Sequence, residues 1–371
     1  MLQKIKRIDI PIIIILIIFM FLSSIVIYSA TFETRYAGLH SSNYTIFGVL
    51  FIPIIVLSIL DYRILVKHFS YILYGVGILL LLYVHFNGVN LNGSRRWINI
   101  GSMAFQPSEI MKLAVIMVLA KWLKARYEQP LRFVKDLLPM CALVGVPFFM
   151  VLQQPDLGTS IVFICIFVGM LWIANIQWKH ILAGTLTVAV VITVITILYF
   201  YNFEMFSKIV KPHQMSRIQT FIDPLSDPDK MWHVDNSIHA IASGQLMGEG
   251  FLQGSLIRGG FIPYSYADSI FVVIGEEFGF VGVSVLLLFY FILIYRMVII
   301  TLQTKDLEGR YLVVGIISML TLQIFQNIAM HIGIMPLTGI ALPFISYGGS
   351  SLLTNMLAMG LVLSVKTNNR I

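Results

Sequence analysis

The stretch Asn327-Ile-Ala-Met-His331-Ile-Gly-Ile-Met-Pro336-Leu-Thr-Gly339-Ile-Ala-Leu-Pro343-Phe-Ile-Ser346-Tyr-Gly-Gly-Ser350-Ser351 decides how this chain folds. It lies between long apolar runs and is dense in glycine, proline and hydroxyl groups. Hydrocarbon offers no hydrogen bonds to free backbone groups. A broken helix at membrane depth is therefore tolerated only where it packs inside protein or lines a wet cavity. A span that merely crosses the bilayer has no use for Pro336, Pro343 and the pair Gly348-Gly349. The run reads as part of a site.

Working outward, the 371 residues are 58% hydrophobic and 12% charged, about half the charge of a soluble protein. The chain reads as an all-α polytopic membrane protein. Segments long enough to cross about 30 Å of hydrocarbon fall near 11–30, 44–60, 69–86, 107–125, 137–152, 158–175, 180–201, 269–297, 311–333 and 344–365. These give about ten transmembrane helices in a single transmembrane domain over residues 1–371. A large extracytoplasmic loop, 202–268, connects helices 7 and 8. The first run is too long for a signal peptide and opens a string of further spans, so it reads as an uncleaved helix.

Lysine and arginine placement sets the orientation. With the N-terminus cytoplasmic, sixteen of these residues lie inside and eight outside, and Lys112 falls within a span. Both termini are thus expected in the cytoplasm. The net charge of +7 is then mainly an orientation signal, and nucleic acid is not an expected partner. Cys141 and Cys165 sit in apolar segments with no disulfide or metal spacing.

Ionisable groups at membrane depth are costly and usually mark function. Glu109 and Lys112 are three apart, hence on one helix face. They follow Gln106-Pro107-Ser108, a helix start. They fit either a structural ion pair or the wall of a cavity that holds a polar substrate. Asp268 stands where the long loop re-enters the membrane. A carboxylate partly desolvated there can have its pKa raised toward that of a useful base, and capping of the next helix explains it equally well. Glu276 and Glu277, deeper on the same span, read as buried structural partners. On the outer loops, His213-Gln214-Met-Ser-Arg217 and Arg95-Arg96-Trp97 suit a lipid-linked phosphate or diphosphate, because guanidinium binds phosphate through two parallel hydrogen bonds. A solvated loop face is the other reading. Gln153-Gln154-Pro155-Asp156-Leu157-Gly158-Thr159 is a polar break between two spans, compatible with a simple capped turn. No HExxH, P-loop, Cys-His metal spacing or GxSxG elbow is present, which removes zinc peptidase, ATPase and serine hydrolase chemistry from consideration.

In order along the chain stand Gly93-Ser-Arg-Arg-Trp97-Ile, Gln106-Pro-Ser-Glu-Ile-Met-Lys112, Gln154-Pro-Asp-Leu-Gly-Thr159, Gln214-Met-Ser-Arg217-Ile, Ala240-Ile-Ala-Ser-Gly244, Gly250-Phe-Leu-Gln-Gly254, Gly275-Glu-Glu-Phe-Gly279 and the run ending Ser346-Tyr-Gly-Gly-Ser350. This series resembles the SEDS family (shape, elongation, division and sporulation), the RodA/FtsW/SpoVE group of bacterial cell-wall glycosyltransferases. The fragment Trp232-His-Val-Asp235 and the run from Gln326 look closest to RodA-type members of Gram-positive bacteria. The resemblance implies ten membrane helices, lipid II as substrate and a glycan polymerase of elongation or division complexes. It also implies a class B penicillin-binding protein as transpeptidase partner, and a divalent cation (Mg or Mn) of unknown ligands. Carried over by position, the family's essential carboxylate falls on Asp268. Substrate contacts are expected from Glu109, Lys112, Arg217, Gln214, Arg96, Trp97, Ser108, Ser346, Tyr347, Gly348 and Gly349. The chain departs from the family at Ala267 and Ser269, where Thr and Phe usually flank the carboxylate. It departs again at His213, which stands where an aromatic is usual, and at Ala242 in place of glycine. From a different class, a transporter that flips lipid-linked precursor would also use broken helices and an intramembrane Glu-Lys pair. A scaffold that only recruits partners would tolerate loss of Asp268.

Overall fold

The structure is a computed structural model that describes residue 4 and residues 7–91, 94–101, 103–126, 129–201, 205–206 and 228–369. Long helices occupy every segment predicted to span: α1 (Ile10–Thr31), α2 (Leu39–Ile59), α3 (Tyr62–Asn87), α4 (Pro107–Lys124), α5 (Leu138–Gln153, entered by a π-helical turn at Phe133–Leu137), α6 (Leu157–Trp172) and α7 (Trp178–Tyr201). After α8 (Pro228–Ser243) and the single turn α9 (Ser255–Arg258) come α10 (Ile270–Gln303), α11 (Leu307–His331) and α12 (Gly349–Thr367). Among the described residues, eight of these helices are long and apolar enough to cross a bilayer by length and composition. Neither α4, which carries buried charge, nor α6, which has 16 residues, is one of the eight. Large apolar side chains such as Ile72, Leu79 and Phe86 on α3 and Phe291 and Leu302 on α10 face outward. A water-exposed surface does not tolerate that much contiguous apolar area, and the chain is a membrane protein.

At the centre stands α4. All of its residues except Ile110, Lys121, Trp122 and Lys124 are buried, as expected of a helix surrounded by protein. It packs against α3, α11 and α6, and α12 closes on α2 and α4. Residue 69 was the expected start of α3. The helix begins seven residues earlier, because Asp61 caps it (Arg63 N to Oδ1, 3.0 Å) and Arg63 is neutralised by Asp306 at 3.0 Å.

The segment between α11 and α12 is broken, and its backbone groups are satisfied by side chains, as burial demands. Asn327 Nδ2 donates to the Ile340 carbonyl (2.7 Å), Tyr290 Oη to Pro343 (2.5 Å) and Ser23 Oγ to Ile345 (2.7 Å). The Leu342 amide donates to Ser346 Oγ (2.8 Å) and the Tyr347 amide to the Tyr266 carbonyl (2.9 Å). The expected span from 344 consequently becomes helical only at Gly349.

A second break divides α10 at Gly279, whose φ of 60° and ψ of −159° are not helical. The orphaned groups pair with the turn after α8. Glu249 N and Gly250 N donate to the Glu276 and Glu277 carbonyls (2.9 and 3.2 Å), while Phe280 N and Val281 N donate to Gln245 and Leu246 (2.9 and 3.1 Å). Glu276 and Glu277 are buried partners, as expected. The former accepts from Leu256 N (2.7 Å) and Ile257 N (3.2 Å), capping α9, and the latter from Ser29 Oγ on α1 (2.5 Å).

The connection between α3 and α4 holds a small sheet that the sequence analysis did not predict. It forms an antiparallel sheet in the order β1 (Val89–Leu91), β2 (Ser94–Ile100), β3 (Met103–Phe105), with Val89 opposite Trp97 and Ile98 opposite Phe105. This sheet lays Arg96 and Trp97 over the end of α4.

Candidate active site

Where the sheet, the broken 332–348 segment and the start of α10 meet, they enclose a cavity of about 380 Å³, within the size range of small-molecule sites. Asp268 enters it from the turn that precedes α10. That turn is drawn tight by Ala267 N donating to the Tyr264 carbonyl at 2.8 Å. Two side chains of α11 hold the Asp268 carbonyl: Asn327 Nδ2 donates at 2.7 Å and His331 Nε2 at 3.0 Å. A carbonyl only accepts, so His331 carries its proton on Nε2 and turns Nδ1 toward Ser237 Oγ at 3.3 Å. The backbone of Asp268 is thereby fixed while its carboxylate faces the cavity. Burial pushes the Asp268 pKa up to about 6, because the charged form loses water. Its own and Ser269's amides and the nearby Arg96 draw it partly back.

Arg96 reaches the same cavity from β2. A Cβ at Gly339 would lie 3.5 Å from Asp268 Oδ2 and 3.9 Å from Arg96 Nη2, so the two charged groups are neighbours across that residue, whose φ is 69°. Arg96 Nη1 is paired with Asp156 Oδ2 at 3.1 Å, and its Nε is buried without a partner. Donor capacity is left over for an anion. Asp156 in turn ties three of the quoted motifs together. Oδ2 also accepts from Gln106 Nε2 (2.9 Å), and Oδ1 accepts from Thr159 N (3.1 Å), capping α6. Ser350 Oγ accepts from Gln106 N (3.0 Å) and donates to the Ala104 carbonyl (3.1 Å), which anchors α12 to the sheet.

Glu109 supplies a second carboxylate to the cavity wall. Lys112 Nζ, fully buried, donates to its Oε1 at 2.8 Å, whereas Oε2 is buried with no partner. The two form an internal ion pair of which Glu109 alone reaches the cavity wall, Lys112 being buried behind it.

Of the other expected contacts, Trp97, Tyr347 and Gly348 line the cavity. Ser108 is buried outside its wall. Ser346 is also off the wall, its hydroxyl occupied by the Leu342 amide. Gly349 opens α12 on an exposed turn. Gln214 and Arg217 lie outside the described residues. The cavity adds residues not predicted individually: Gln106, Thr159, His233, Tyr264 and Gln323 on its wall, with Asn327 and His331 behind it. The spacing Asn327–His331, one turn apart on an apolar helix, was the available signal for that pair.

Among the described residues no group of three His, Cys, Asp or Glu side chains could hold a metal ion. An all-protein cation cage does not fit. A hard cation that brings diphosphate oxygens as ligands needs only one or two carboxylates, and two, Asp268 and Glu109, line this cavity.

The family model for cell cycle proteins of the FtsW, RodA and SpoVE type matches residues 9–371. The chain belongs to this family. It is 33% identical to stage V sporulation protein E of Bacillus subtilis over 82% of this chain and 80% of that one. It is also 35% identical to the peptidoglycan glycosyltransferase MrdB of Escherichia coli K12 over 80% and 78%. Among solved structures it resembles the rod shape determining protein RodA of Thermus thermophilus, with a TM-score of 0.71, 26% identity and coverage of 98% and 97%. A chain from work on the structural coordination of polymerization and crosslinking by a peptidoglycan synthase complex superposes with a TM-score of 0.81, 29% identity and 98% coverage of both.

Proposed function

We propose that this chain is a peptidoglycan glycosyltransferase that polymerises lipid II into β-1,4 glycan strands on the outer face of the cytoplasmic membrane, for cell elongation or division. The observation that carries the reading is Asp268, a carboxylate with its pKa raised to about 6 by burial, facing Arg96 across one cavity. In this scheme the Asp268 carboxylate takes the proton of the GlcNAc 4-hydroxyl. The oxygen attacks the anomeric carbon of a second lipid-linked MurNAc, that centre inverts, and the C1–O bond to undecaprenyl diphosphate breaks. A positioned base contributes about 10²–10⁴-fold. The spare N–H groups of Arg96 would stabilise charge on the departing diphosphate, worth most where water is excluded. Arg217 and Gln214 are assigned to the same diphosphate. Glu109, held from behind by Lys112, shapes the walls together with Trp97, Tyr347 and Gly348. A divalent cation, held by Glu109 together with the diphosphate, would neutralise the leaving group while Asp268 stays free to take the proton.

A class B penicillin-binding protein is the proposed partner, in keeping with the synthase complex whose chain this one resembles. Ten membrane crossings with both termini cytoplasmic complete the proposal. A precursor-flipping transporter would need a polar path to the opposite face. Beyond Lys112, α4 instead runs through buried Leu113 to Ala120. The test is polymerisation of lipid II by purified Asp268→Asn and Asp268→Ala protein in detergent. Folded variants that still make glycan chains at the wild-type rate would remove Asp268 from the chemistry.

A further inference from the structure

At the end of the bundle opposite the catalytic cavity, a second cavity of about 600 Å³ is lined by Arg7, Arg296, Lys305 and Lys366. The four cations come from separate segments: the chain before α1, α10, the α10–α11 connection and α12. Among the described residues one carboxylate, Asp9, faces them and is fully engaged. Its Oδ1 accepts from Ile12 N at 3.4 Å as the cap of α1 and from Arg296 Nε at 3.3 Å, and its Oδ2 accepts from Arg296 Nη2 at 2.6 Å. Lys366 Nζ meets the neutral Gln303 Oε1 at 2.7 Å. Arg7, Lys305 and Lys366 form no ion pair among the described residues. Three net positive charges therefore converge on one concave site. Orientation by flanking charge requires cations near a membrane surface, but it does not gather like charges from four segments around one hollow.

We propose that this cavity binds the phosphodiester headgroup of an anionic phospholipid in the leaflet opposite the catalytic site. A lipid is the occupant, and not free phosphate, because the flanking helices lead straight into an apolar surface. Ile10, which lines the cavity, is 65% exposed, and Leu302 on α10 is 75% exposed. Ile14 and Ile17 continue that surface along α1, and Val298 and Tyr295 continue it along α10. Acyl chains lying there would cover it while the cations hold the phosphate, and basic cavities between helices at a membrane surface commonly serve this purpose. The proposal is independent of the polymerase reading, since no residue of the catalytic cavity takes part.

The test is native mass spectrometry of the full chain with equimolar phosphatidylglycerol and phosphatidylcholine, with inorganic phosphate as a separate competitor. Wild-type protein is expected to retain phosphatidylglycerol preferentially. The triple variant Arg7→Gln/Lys305→Gln/Lys366→Gln is expected to weaken that preference roughly 10²-fold. Inorganic phosphate at the same concentration should leave the bound lipid in place. Lys305→Gln alone, at an exposed side chain, should lower the preference about fivefold. Equal retention of the two lipids, an unchanged preference in both variants, or displacement of the lipid by phosphate would each overturn it.

Discussion

In the proposed reaction Asp268 meets two opposed demands: a carboxylate that takes a proton must be desolvated enough to want one, yet ionised at working pH. Burial raises its pKa to about 6, near the useful range for a base. Activity should therefore rise through an apparent pKa near 6 and level off above it, which a pH profile of lipid II polymerisation measures. Asp268→Asn should cost about 10²–10⁴-fold. The same residue sets a stability trend of opposite usefulness. The folded chain holds this proton between the ordinary value of 3.8 and about 6, where the unfolded chain has released it. Stability thus falls as pH rises across that window. Asp268→Asn should melt higher than wild type at pH 8, and the gap should close toward pH 4. Asn327 is a positioning residue behind it. Asn327→Asp keeps the shape but donates no hydrogen bond, leaving the buried Ile340 carbonyl without its donor at about 1–3 kcal/mol and the Asp268 carbonyl held by His331 alone. We expect a lower melting temperature and a shifted pH profile. A purely structural role would leave that profile where it was.

The two breaks in helical structure share one design at the scale of elements: each frees backbone groups, and each has named partners waiting for them. At Gly279 the partners are the backbone of 245–250, so the fit allows no side chain. A Cβ there would lie 2.4 Å from Gly248 N and 2.6 Å from Gly244 O, at a φ of 60° that disfavours any other residue. Gly279→Ala should cost about 2 kcal/mol or more in thermal unfolding. Gly184→Ala on α7, where nothing lies within 4 Å, should be neutral or slightly stabilising. The helices were legible because runs of twenty apolar residues have few other fates in a membrane protein. The break after α11 was legible from Pro336, Pro343 and the glycine pair. The sheet at 89–105 was not, because two of its strands have only three residues and the adjacent Arg95-Arg96 and Trp97-Ile98 break alternation in the third. Among the site residues, Asp268 and the Glu109–Lys112 pair stood out as charge at membrane depth. Gln106 and Thr159 did not stand out, since neutral polar residues near helix starts read as ordinary caps. What made them cavity residues is Asp156, whose single carboxylate joins stretches about fifty residues apart.

Across the whole molecule, charge is sorted by face. The Asp268 cavity opens where α10 and α12 begin and α11 ends, and the basic cavity sits at the other ends of α10 and α12. The excess of lysine and arginine lies on that second side, which the charge rule assigns to the cytoplasm. Glycan synthesis outside the membrane therefore requires one orientation and excludes the other. Replacing Cys141 and Cys165 with serine and placing single cysteines at Trp232 and Lys305 turns this into a measurement. Both side chains are exposed, Trp232 next to the cavity residue His233 and Lys305 on the basic side. In intact spheroplasts a membrane-impermeant maleimide should label Trp232→Cys and spare Lys305→Cys, and permeabilisation should make both react. The reverse pattern would put Asp268 in the cytoplasm, where strands built from it would be trapped on the wrong side of the membrane.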